Sequence, residues 1–167
     1  KSVPTMTPSL VALASRQLLA AALLGHDVGL VSEAGMPAVA DPGSSVVRAA
    51  HDLGLTVVPL VGPVSLLLAL AASGLNGQNF AFVGYLPQDA GERTARLKQL
   101  ESLALKTGQT QLWIETPYRN AAMLSGLLQS LQANTRLAIA SGLTLPSVSI
   151  QSHTVAHWKK GRQGPDG

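Results

Sequence analysis

The sequence predicts an α/β protein of two domains, and three observations carry that prediction. Short apolar runs alternate with helical periodicity, a capping residue followed by proline recurs at helix starts, and 46% of the 167 residues are hydrophobic although only 4% are aromatic. A core so poor in rings is built from Ala, Leu and Val, which suits helices packed closely on a sheet, and a chain of this length can bury a substantial one.

Thr7 followed by Pro8 gives an N-cap with proline at the first helical position, and Gly25 closes a helix whose apolar residues are Leu10, Leu13, Ala14, Leu18 and Ala21. Residues 28–31 read as a short buried strand. Asp41 and Pro42 repeat the cap-plus-proline signature and open a second helix that stops at Gly54. Residues 55–60 form the next strand, Gly62 and Pro63 start a third helix ending at Gly74, and residues 80–85 form another strand. Strands separated by helices of about ten residues imply a mostly parallel sheet in this first domain, with right-handed connections.

A second unit begins near Asn76 and Gly77, which divides the chain into a first domain at 1–77, a second at 78–160 and an unstructured tail at 161–167. Residues 90–106 form an amphipathic helix. Glu92, Arg93, Arg96, Lys98, Glu101 and Lys106 take its solvated face, and Leu97, Leu100 and Leu103 its inner one. Residues 112–115 form a strand, Thr116 and Pro117 cap a helix running to Leu131, and residues 137–140 and 148–150 complete a mixed sheet. Internal repeats and low-complexity tracts are absent from the sequence.

Twelve basic residues against nine acidic ones, net charge +3 and no Lys/Arg block permit a polyanionic partner without implying one. Zero cysteines exclude disulfides and thiolate metal sites. No apolar run is longer than that of residues 66–72, which falls far short of the roughly 18 residues that span a bilayer. Pro4, Pro8 and Arg16 spoil a signal-peptide pattern, so the reading is cytoplasmic, with no membrane.

In an open parallel sheet, ligands bind outside the carboxyl ends of the strands, where loops enter the helices. Residues 32–43, 61–65 and 115–119 are such loops. Gly35, Gly43 and Gly62 let backbone N–H groups approach a ligand, and the neighbouring prolines fix the loops in advance. The alternative is a stiff structural connection in which Asp41 serves only as helix cap. G-x-G, G-x-x-x-x-G-K-[ST] and G-x-S-x-G are all absent. His153 and His157 have i, i+4 spacing but no carboxylate at a supporting distance, which favours structural or surface roles and no metal. His26 and His51 lie near helix ends, where a dipole contact explains them.

Four motifs then come in a fixed order: Ser32-Glu33-Ala34-Gly35-Met36-Pro37 with Asp41-Pro42-Gly43, Val61-Gly62-Pro63-Val64-Ser65, Gly84-Tyr85-Leu86-Pro87, and Glu115-Thr116-Pro117-Tyr118-Arg119. Together they resemble the S-D-A-G-x-P…D-P-G, P-G-P, G-F-L-P and E-[ST]-x-x-R elements of the tetrapyrrole-methylase superfamily, in its ribosomal RNA small-subunit methyltransferase branch. The resemblance implies S-adenosylmethionine held in a folded conformation between two α/β domains. It also implies a homodimer and, as partner, ribosomal RNA or the small ribosomal subunit. Carried over position by position, Ser32, Glu33, Ala34, Gly35, Met36, Asp41, Pro42 and Gly43 line the cofactor cleft with Gly62, Pro63, Val64 and Ser65. Leu86 and Pro87 sit at the domain junction. Glu115 and Arg119 either contact substrate or form a buried ion pair that shapes the fold. Glu33 stands where the family has Asp and Val61 where it has proline. The family's first strand has no counterpart at the amino end, and a last strand none at the carboxyl end.

The activity implied is methylation of a ribose 2′-hydroxyl, a weak nucleophile that needs its proton removed as the bond forms. Glu33 and Asp41 are the candidate bases, each with a competing structural role. Arg119 and the basic residues of 93–106 are candidates for RNA phosphates, against a solvated face. Two other functions stay open: methylation of a small tetrapyrrole-like or other substrate, and cofactor binding without catalysis.

Overall fold

The computed structural model describes residues 14–32 and 35–161; the expected helix start at Thr7, together with Glu33, Ala34 and residues 162–167 of the expected tail, lies outside the described residues. The contacts divide the chain between Val64 and Ser65 into two compact units.

In the first unit, residues 14–18 are helical and a short turn leads into α1 (Ala20–Leu23). Helix α2 (Ser44–Asp52) follows, with His51 in its last turn, where a helix terminus favours a cation. Leu19, Ala49 and Ala50 make a small core with Val46, Leu53 and Leu55 packed against it. The segments 28–31 and 55–60, expected as strands, carry no ladder. Val31 is 87% exposed and Leu60 81%. An apolar run becomes a strand only where a neighbour accepts and donates its backbone bonds. Among the described residues these two runs have no such neighbour.

The second unit opens with α3 (Ser65–Ser73), which starts beyond the expected Gly62 and Pro63 and packs on the hairpin described below. Strand β1 (Phe80–Phe82) pairs in parallel with β2 (Thr110–Leu112), Phe80 opposite Thr110 and Phe82 opposite Leu112. Parallel pairing is thus found here and not, as the sequence suggested, mostly in the first domain. Both strands are shorter than expected, although Val83 N–H to Leu112 O at 2.8 Å and Ile114 N–H to Gly84 O at 3.1 Å continue the pairing. The crossover between them is α4 (Ala90–Thr107). Its start is set by Asp89, whose carboxylate accepts from Glu92 N–H at 2.9 Å, and its end by Gly108 in the left-handed conformation.

After β2, a 3₁₀ turn (Pro117–Arg119) leads into α5 (Asn120–Ser130). The antiparallel strands β3 (Arg136–Ser141) and β4 (Ser149–Thr154) follow, and then α6 (Val155–Gly161), which the sequence reading missed. The second unit therefore carries two separate two-stranded sheets rather than one mixed sheet.

Its core gathers Leu86, Leu97, Leu100, Met123, Leu127, Leu128, Leu131, Leu137 and Val155. Leu103, expected inside, is 42% exposed, whereas Glu101, expected in solvent, is only 7% exposed. The buried stripe is Leu97, Leu100 and Glu101, the i, i+3, i+4 spacing of one helix face. Glu101 accepts from Gln132 N–H at 2.9 Å and from the Thr135 hydroxyl, tying α4 to the turn after α5.

Candidate functional site

The loop before α2 is a chain of tight turns. Ser32 Oγ donates to Gly35 O at 3.2 Å, Val39 N–H to Met36 O at 3.2 Å, and Ala38 N–H to Pro42 O at 3.2 Å. Positive φ angles occur at Gly35 (82°), Ala38 (66°), Ala40 (57°) and Gly43 (135°). For the two alanines, holding that conformation costs on the order of 1–3 kcal/mol each, a strain that concentrates at functional sites.

The three glycines of the candidate loops differ in why they are glycine. At Gly43 a Cβ would lie 2.9 Å from Leu30 Cδ2 and 3.3 Å from Ala38 N, so the loop's own packing and its φ exclude a side chain. At Gly35 and Gly62 a Cβ would meet nothing within 4 Å. Backbone at those two positions is open to a ligand, which is what a main-chain grip on a cofactor requires.

Asp41 does not cap α2. Gly43 occupies the N-cap and makes no side-chain cap bond, while its carbonyl accepts from Val46 and Val47 N–H at 2.9 and 3.1 Å. The turn closed by Ala38 and Pro42 moves the helix start past Asp41. Its half-buried carboxylate thus makes no hydrogen bond or ion pair with any described residue. Met36 is half-buried and Pro42 exposed.

Residues 61–63 are exposed, Val64 is half-buried and Ser65 begins α3. Among the described residues, no hydrogen bond joins 61–64 to the 35–43 loop.

In the second unit the structure joins two motifs that lie far apart in sequence. Arg119 Nη2 is 3.2 Å from Glu115 Oε2, and the same nitrogen donates to Leu86 O at 3.3 Å and Pro87 O at 3.4 Å. Glu115 Oε1 accepts from Thr116 N–H at 2.8 Å; its Oε2 meets Arg119 by proximity, without an aligned hydrogen bond. The Glu115 side chain is 8% exposed and that of Arg119 18%. Arg93, placed by sequence on the solvated face, donates from Nη1 to Pro87 O at 3.3 Å and Gln88 O at 2.8 Å. The sequence signal for it was its place one helical turn after Asp89, from which a long side chain reaches back over the loop. Leu86 itself is 3% exposed, in the core of the unit. His153 is the penultimate residue of β4 and His157 lies in α6; their rings stack at 4.1 Å.

The chain is similar to known proteins in sequence and in fold. The chain matches the family model described as Tetrapyrrole (Corrin/Porphyrin) Methylases over residues 11–157. It is 40% identical over 142 residues to the ribosomal RNA small subunit methyltransferase I of Mesorhizobium japonicum, a match covering 85% of this chain and 47% of that protein. For the protein of the same name from Micromonospora olivasterospora the identity is 41% over 130 residues, covering 78% and 40%. For that of Pseudomonas aeruginosa it is 35% over 132 residues, covering 79% and 45%. The chain thus spans somewhat less than half the length of these relatives. A crystal structure of the methyltransferase CobJ superposes with a TM-score of 0.56 at 21% identity, over 92% of this chain and 66% of that one, a likeness of fold alone. The family model covers nearly the whole described chain and the α/β fold is shared with a solved methyltransferase: this chain belongs to the tetrapyrrole methylase family.

Proposed function

We propose that this chain carries the donor-binding and catalytic loops of an S-adenosylmethionine-dependent methyltransferase that acts on a ribose 2′-hydroxyl of small-subunit ribosomal RNA. The observation behind it is the 35–43 loop, with four left-handed residues, an open glycine and a half-buried carboxylate that the helix does not use. The names of the relatives support ribosomal RNA as substrate. A cytoplasmic location, a homodimer and a functional division of the domains at 77/78 belong to the same proposal. Among the described residues no helix is long and apolar enough to cross a membrane.

In this proposal, carried over from the family's motifs, the donor-binding residues of the first unit are Ser32, Glu33, Ala34, Gly35, Met36, Pro42, Gly43, Gly62, Pro63 and Val64, and those of the second unit are Ser65 and, through the backbone of their loop, Leu86 and Pro87. When bound, the donor supplies a methyl group on a sulfonium centre. The protein's part is to hold the hydroxyl in line with that methyl, and such positioning is worth up to about 7–11 kcal/mol. Asp41 takes the hydroxyl proton as the oxygen–carbon bond forms. Glu33 is the second candidate for that proton.

The family's description favours a second substrate class, a corrin- or porphyrin-like molecule. Isotope-labelled S-adenosylmethionine offered with small ribosomal subunits and, separately, with porphyrin precursors decides between them. We expect label in the RNA at a 2′-O position. Label confined to the small molecule contradicts the ribosomal reading, and no label in either leaves the chain a cofactor-binding homologue without activity.

A further inference from the structure

Three consecutive carbonyls, those of Leu86, Pro87 and Gln88, accept from two guanidinium groups that come from different helical elements, Arg93 of α4 and Arg119 of the 3₁₀ turn. Pro87 O is shared by both. The N–H groups of Tyr85, Leu86 and Gln88 meanwhile donate to no described residue. A backbone segment normally places donors and acceptors together in one ladder or one turn. Here the acceptors are committed to arginines and the donors are left over.

We infer that Arg93 and Arg119, the latter held by Glu115, are positioning residues: they fix the Gly84–Gln88 loop with its carbonyls turned inward and its amides presented to polar acceptor groups of the methyl donor. The inference rests on the donor-binding reading given above. It also gives the Glu115–Arg119 pair a task other than substrate contact. Arg119 reaches the loop from a segment that Glu115 and Thr116 keep in place, through Thr116 N–H and the ion pair. Arg93 reaches it from the first turn of the crossover helix, its Nε lying 3.5 Å from where a Cβ on Gly126 would stand. Both side chains therefore couple the loop to the core of the unit without touching the donor.

The test uses the 167-residue chain and the variants Arg93→Met, Arg119→Met and Arg119→Lys. Two readouts are taken: the rate at which chymotrypsin cuts the Tyr85–Leu86 bond, and the dissociation constant for S-adenosylmethionine. Tyr85 is 59% exposed, so the cut reports how readily the loop opens. Both Met variants should be cut about tenfold faster and bind the donor about tenfold more weakly; Arg93→Met, which strands no buried charge, should do so with the melting temperature little changed, whereas Arg119→Met also lowers it by leaving the Glu115 carboxylate unpaired. Arg119→Lys, which can still reach one carbonyl and pair with Glu115, should lie near wild type in both. An unchanged cutting rate overturns the inference, and so does a rise matched at every chymotryptic site, which would mark the arginines as general supports of the fold. A faster cut with undiminished donor affinity also overturns it. If wild type itself binds no donor, the donor-binding reading and the donor-presenting role fall together, and the cutting rates still decide whether the arginines fix the loop.

Discussion

Asp41→Asn lowers the kcat of methyl transfer by roughly 10²- to 10⁴-fold, the range associated with loss of a positioned general base. The substitution keeps the shape of the side chain and removes its ability to take a proton. The helix after it is untouched in principle, because Gly43 and not Asp41 stands at the N-cap and the Asp41 carboxylate bonds to no described residue. Stability and donor affinity should therefore stay close to wild type, which separates a catalytic role from a structural one. Single-turnover rates with labelled donor and small ribosomal subunits, alongside thermal unfolding, measure both. An undiminished rate would move the base to Glu33 or to solvent. A large loss of stability would return Asp41 to a structural part.

Glu101→Ala is the substitution with the largest expected effect on stability. The carboxylate is 7% exposed and serves two donors, Gln132 N–H and the Thr135 hydroxyl. Truncation leaves both without their partner inside the packing of α4 against α5, at a cost of about 2–4 kcal/mol. For a chain of this size that lowers Tm by roughly 5–15 °C. Glu101→Gln keeps an acceptor oxygen in the same place and should lose only about 1 kcal/mol. Urea unfolding of the two variants checks the ordering. Equal losses would show that charge, rather than the acceptor geometry, matters at this position.

Helix α4 was legible in the sequence because its signals are local: Asp89 three residues before Glu92, a leucine stripe, and Gly108 just past the end. The side on which Glu101 lies was misjudged because charge was read ahead of period. Leu97, Leu100 and Glu101 share a face that Leu103 does not. Residues 28–31 and 55–60 have the composition of strands but lack ladder partners among the described residues, and pairing is a long-range property that no short window contains. Asp41 and Pro42 carried a helix-start signature that the structure overrides. Ala38 N–H closes a turn on Pro42 O, and Gly43 at φ 135° takes over as cap.

For the candidate site, the order of the motifs could be read directly; of the open backbone expected at Gly35, Gly43 and Gly62, the structure leaves space at Gly35 and Gly62, while at Gly43 Leu30 and Ala38 fill it. The meeting of Arg119 with Leu86 and Pro87 could not, since 32 and 33 positions of sequence separate them. Arg93 was hidden for a related reason: its place one turn after Asp89 lets a long side chain reach back, but which carbonyls it meets there depends on the folded path of residues 86–88.

If the glycine-bearing loops of this chain hold S-adenosylmethionine by their backbone, the chain binds the free donor. Isothermal titration of the chain with S-adenosylmethionine tests it most directly. Saturable binding is expected, with a rise in melting temperature that grows with donor concentration, weakened by a bulky residue at Gly62, where a side chain would enter open space rather than the protein's own packing. No heat and no thermal shift, or binding indifferent to that substitution, would contradict it.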